Sequence, residues 1–81
     1  MSSRATIEAQ MKIIAKEQNR KLAALHDNLT LLDSGFDSLC FAILVSRLED
    51  ELAVDPFLEL DGGDFPKTFG ELVAFYDRSL V

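Results

Sequence analysis

Tryptophan is absent from this 81-residue sequence, cysteine occurs once, and there are only two prolines and four glycines. Each scarcity removes a class of protein. A lone Cys40 excludes an intrachain disulfide framework and any multi-cysteine metal centre, and it fits a reducing, cytoplasmic setting. Sparse glycine, proline and aromatic residues argue against a β-sandwich or barrel, which needs many strands and turns. No segment approaches the roughly 20 apolar residues of a membrane span, and the opening MSSRATIEAQMKIIAKEQ lacks the uninterrupted apolar stretch of a signal peptide. A soluble, unsecreted chain is expected. Basic residues are also in the minority, and the formal charge of -6 argues against nucleic acid as a partner, because such binding needs basic surface.

What is plentiful is Ala, Leu, Glu, Lys and Gln, which favours an all-α fold in a single domain spanning 1–81. The charge is unevenly spread. Residues 1–26 hold five Lys/Arg against two Glu, whereas 27–81 hold three against twelve Asp/Glu. A basic partner would be steered towards the second half.

Ile7, Met11 and Ile14 recur at helical spacing, predicting a first helix over about Thr6–Asn19 that ends near Arg20, with Ser3 or Thr6 as cap and Glu8 in its first turn. Asp27-Asn28 and Thr30 then read as loop, pinned to the core by Leu22, Leu25, Leu29, Leu31 and Leu32. A second helix is expected over Ser38–Leu52, with Phe41, Val45, Leu48 and Leu52 as its apolar stripe and Ala42 and Leu44 widening it. Val54-Asp55-Pro56 ends it. A short third helix is placed between Pro56 and Lys67, around the Gly62-Gly63 turn. Thr68-Phe69-Gly70-Glu71 matches a capping box, opening a last helix to about Ser79 with Phe69, Leu72, Val73, Tyr76 and Leu80 on one face.

The most informative stretch is Leu32-Asp33-Ser34-Gly35-Phe36-Asp37-Ser38-Leu39. A glycine-centred turn gives way at Asp37-Ser38 to a helical run, so Ser38 is expected as an exposed hydroxyl at a helix start, where free backbone N–H groups favour an anionic ester. Ser34, in the loop before Gly35, lacks that position.

The run DSGFDSL resembles the attachment motif of the acyl and peptidyl carrier proteins, and the resemblance extends over nearly the whole chain, from the leading amphipathic helix to the closing Thr-Phe-Gly-Glu-Leu. It implies a small antiparallel bundle of three longer helices and one short one, with a long loop between the first two. It also implies that Ser38 receives 4'-phosphopantetheine covalently from coenzyme A and that Asp37 assists the transferase. As a helix-start acid, Asp37 would stand there in any case. The partners implied are a phosphopantetheinyl transferase and acyl-loading and acyl-transfer enzymes, served by a stand-alone monomer. The helix after Ser38 is the family's recognition element, which singles out Leu39, Cys40, Ile43, Arg47 and Asp50. The usual fatty-acid pattern has acidic residues where Cys40 and Ile43 stand, so a polyketide, aminoacyl or lipid-modifying pathway is expected instead.

Ile43 is equally compatible with the core, and Cys40 with a small packed residue. Beside a helix start, Cys40 is also a candidate for acyl transfer. Ala42, Val45, Leu48, Phe65, Phe69, Phe75 and Tyr76 are candidates for an apolar groove, although such a stripe usually forms core.

An enzyme is not expected. Gly-x-Ser-x-Gly is absent and His26 is the only histidine, so neither a catalytic set nor a metal site is read. The competing function is an unmodified helical domain that binds a partner through the second helix.

Overall fold

Residues 3–54 and 65–80 are described by a computed structural model. The three strongly patterned segments form helices: α1 (Arg4–Glu17), α2 (Ser38–Leu52) and α3 (Phe69–Leu80), with a single 3-10 turn at Leu31–Asp33 in the long α1–α2 loop. This is the small helical bundle that the sequence suggests. The short helix expected between Pro56 and Lys67 falls almost wholly outside the described residues.

The apolar positions of α1 and α3 do what their spacing requires. Ile7, Met11 and Ile14 on α1 and Phe69, Leu72, Val73 and Tyr76 on α3 are buried together with Cys40, Leu44 and Leu48 of α2. At roughly 1.5–3 kcal/mol for each large apolar side chain, this shared cluster supplies most of the drive to fold.

On α2 the buried row is Cys40, Leu44 and Leu48, one position round from the expected Phe41, Val45, Leu48 and Leu52. Phe41, Val45 and Leu52 are half-buried. The first half of α2 is apolar on almost every side, so periodicity has little polar contrast by which to choose the inward face.

Helix α1 starts and stops two residues before its expected bounds. Ser3 precedes it without a side-chain cap; its backbone N–H and hydroxyl instead donate to Asp77 Oδ1 at 2.6 and 2.7 Å, tying the start of α1 to α3. Glu8 consequently falls beyond the first turn, which holds no acid. The stop is a Schellman motif. Asn19 adopts a left-handed φ of 56°, its N–H donating to the Lys16 carbonyl at 3.2 Å, and the Arg20 N–H reaches back to Ala15 at 2.7 Å. Asparagine occupies the position that glycine usually fills.

The loop is ordered by backbone pairing with the start of α3. The Leu31 N–H donates to the Lys67 carbonyl and the Phe69 N–H to the Leu29 carbonyl, both at 2.8 Å, around an antiparallel Thr30–Thr68 bridge. Leu22, Leu25, Leu29 and Leu31 pack against the core as expected. Leu32 does not: at 93% exposure it points to solvent, because the tight turn sends Leu31 inward and its neighbour out.

Thr68 caps α3, its Oγ1 accepting the Glu71 N–H at 3.1 Å. Glu71 reaches back to the Lys67 N–H at 2.8 Å, one residue before the group a regular capping box would satisfy.

Candidate functional site

Asp37 sets the geometry at the start of α2. With extended backbone (φ -102°, ψ -175°), it turns Oδ1 onto the Cys40 N–H at 2.9 Å, the N-cap bond. This cap makes Ser38 the first helical residue, and its side chain is exposed. The Asp37 carboxyl is held below its ordinary value chiefly by the Cys40 N–H, with a smaller contribution from the Arg20 guanidinium, which pairs with Oδ2.

The preceding turn is rigid. Gly35 has a φ of 99°, and a Cβ there would collide with the Lys21 carbonyl oxygen, so glycine is required on both conformational and steric grounds. Phe36 is buried and meets Phe41 edge-on, ring centroids 5.4 Å apart. Ser34 is fully buried; its Oγ donates to the Leu31 carbonyl at 2.6 Å and accepts the Phe36 N–H at 3.3 Å. Of the two serines, only Ser38 offers its hydroxyl to solvent.

The residues singled out for partner recognition divide. Leu39 is 58% exposed and Asp50 is also exposed, so both stand on the surface beyond Ser38. Arg47 is half-exposed and paired with Glu17 of α1 at 2.6 Å. Ile43 is half-buried against the core, intermediate between its two expected roles. Cys40 takes the packed one of its expected roles and not the surface one: at 1% exposure its side chain is a core group. The α2 row that carries Leu44 and Leu48 also carries Cys40 inward, which explains the choice.

Beside Ser38 opens a groove of about 1050 Å³ between α2, the 3-10 turn and the segment leading into α3. Ala42, Val45, Leu48, Phe65 and Tyr76 line it as expected, joined by Leu31, Leu32, Phe41 and Leu72, with Thr30 and Lys67 as polar members. Phe69 and Phe75 do not line it. Phe69 is core, and Phe75 borders a separate hollow of about 470 Å³ with Phe65, Lys67 and Arg78. The contribution of Leu31 and Leu32 to the groove was hidden in the sequence, where both read as anchors of the loop to the core.

Among the described residues, no cluster of three or more His, Cys, Asp or Glu side chains could hold a metal ion, and no helix is long and apolar enough to cross a membrane.

The family model described as phosphopantetheine attachment site matches residues 11–63, a stretch that contains the whole of α2 and the turn before it. The chain therefore belongs to the phosphopantetheine-binding carrier domains, and its cofactor is covalently attached 4'-phosphopantetheine. Among curated proteins it is similar to the non-reducing polyketide synthase VdtA of Byssochlamys spectabilis, 38% identical over 52 residues, covering 64% of this chain but 2% of that protein. No solved structure matches the chain significantly.

Proposed function

We propose that Ser38 bears the 4'-phosphopantetheine arm and that the protein holds acyl or aminoacyl intermediates on it as thioesters, delivering them between partner enzymes in a specialised polyketide, aminoacyl or lipid-modifying pathway. The observation that carries this reading is the exposed Ser38 hydroxyl on the first residue of a capped helix, beside an apolar groove. The fit is chemical. A phosphodiester formed there lies at the positive end of the α2 dipole, and Ser38 needs no activating base of its own because it is a tether. The arm supplies a terminal thiol for thioester chemistry. Phe41, Ala42 and Val45 offer apolar surface to the cargo, while Leu39, Ile43, Arg47 and Asp50 form the face read by a phosphopantetheinyl transferase and by loading and transfer enzymes. Likeness to part of a polyketide synthase favours the polyketide branch.

On this reading the chain is itself a carrier without catalysis, working as a monomer in the cytoplasm. The purified unmodified protein should then hydrolyse no ester. The central test is intact-mass measurement after incubation with coenzyme A and a broad-specificity transferase. The wild-type protein should gain one arm and Ser38→Ala none. A persistent arm on Ser38→Ala would reject the site, and an unmodified wild-type protein would favour a helical interaction domain that works without a prosthetic group.

A further inference from the structure

The pairing of Arg20 with Asp37 has no part in holding the core, yet the chain takes some trouble to make it. The left-handed Asn19 and the Arg20 N–H bond to Ala15 turn the chain sharply at the end of α1. The next residues are strapped across the turn that precedes α2: the Lys21 carbonyl lies against Gly35, and the Ala23 N–H donates to the Ser34 carbonyl at 2.9 Å. Arg20 is thus delivered to the residue immediately before Ser38, where its guanidinium takes Asp37 Oδ2 while Oδ1 accepts the Cys40 N–H. Both carboxylate oxygens are engaged. The pair is 46% and 41% exposed on its two sides, at the surface an incoming partner must meet.

We propose that Arg20 is a positioning residue for loading the arm: it fixes the Asp37 carboxylate, the cap of α2, in one orientation beside Ser38. This rests on Ser38 as the attachment site. In the loading step the Ser38 Oγ forms a bond to the pantetheine-bearing phosphorus of coenzyme A and gives up its proton to a base of the transferase. The bond from that phosphorus to the bridging oxygen breaks, and adenosine 3',5'-bisphosphate leaves with the electron pair.

The experiment follows arm transfer by intact mass, using the full chain, coenzyme A and a phosphopantetheinyl transferase, for the wild-type protein, Arg20→Ala, Arg20→Lys, Asp37→Asn and the double variant R20A/D37N. Asparagine is as good a cap as aspartate, so Asp37→Asn removes the charge and keeps the helix start. Arg20→Ala should lower the rate about two- to fivefold, the upper part of the range expected of an exposed pair, and Arg20→Lys should recover most of it. On the Asp37→Asn background the Arg20→Ala change should cost nothing further, because its action runs through that carboxylate. Arg20→Ala loading at the wild-type rate, even with a lowered melting temperature, would overturn the proposal, as would effects of the two changes that multiply in full. A wild-type chain that fails to load, or an arm on Ser38→Ala, would overturn the attachment site itself and this proposal with it.

Discussion

Gly70 donates its backbone N–H to the carbonyl oxygen of Asp27 at 3.1 Å, and a Cβ on Gly70 would lie 2.9 Å from that oxygen and 3.0 Å from the Asp27 Cβ. The first turn of α3 is thus pressed against the middle of the α1–α2 loop, where Asp27 also pairs with Arg4 at 2.5 Å. In the sequence Gly70 reads as a weakness in a capping box. In the fold it is the residue that lets the loop close.

Gly70→Ala should therefore destabilise the domain despite the better helix propensity of alanine. The gain of about 1 kcal/mol from propensity is outweighed by a backbone clash of the overpacking kind, which costs about 1–3 kcal/mol. Thermal denaturation followed by circular dichroism should show a lower melting temperature for the variant, and an unchanged or higher one would contradict the close approach.

Ala53 presents the opposite case. It ends α2 in a left-handed conformation, φ 56°, with its N–H on the Glu49 carbonyl at 2.9 Å. A side chain in that region costs roughly 1–2 kcal/mol, part of which glycine returns as unfolded-state entropy. Ala53→Gly should raise stability by about 0.5–1 kcal/mol in a denaturant titration, with arm loading unchanged.

Ser34→Ala separates the two serines of the motif. Removing the buried hydroxyl strips a partner from the Leu31 carbonyl and the Phe36 N–H, at a cost of about 1–3 kcal/mol. The variant should melt earlier and still accept one arm, whereas Ser38→Ala should melt near the wild-type temperature and accept none.

The Asp37 cap predicts a pH dependence. Its carboxyl is held below the ordinary 3.8 mainly by the Cys40 N–H, so the folded state favours the ionised form more than the unfolded state does. The associated stability is present in full above 3.8 and is lost as pH falls through the lower, folded-state value. Asp37→Asn has no such titration. The difference in urea midpoint between wild-type protein and Asp37→Asn should therefore be constant from neutral pH down to about 5 and shift against the wild type below 3.8, where a flat difference would contradict the cap.

The bounds of α2 were legible because their causes are local. Asp37-Ser38 is a cap signal, Val54-Asp55-Pro56 a stop, and the helix found is Ser38–Leu52. The Thr68–Glu71 cap was legible for the same reason. The end of α1 carried a fainter local signal in Asn19, tolerant of left-handed backbone where glycine is more usual.

The sequence by itself determined the three longer helices, the all-α class and the position of Ser38 at a helix start, since these follow from spacing and capping among residues a few positions apart. Only the tertiary structure decided which side of α2 faces inward, choosing the packed role over the surface one for Cys40 and leaving Phe41 and Val45 to the groove. It also decided that Leu32 points outward, that Gly70 meets Asp27, and that Arg20 reaches Asp37. Each of these depends on where a separate segment packs, and an apolar helix or a loop without periodicity carries no mark of the neighbour that will choose its face.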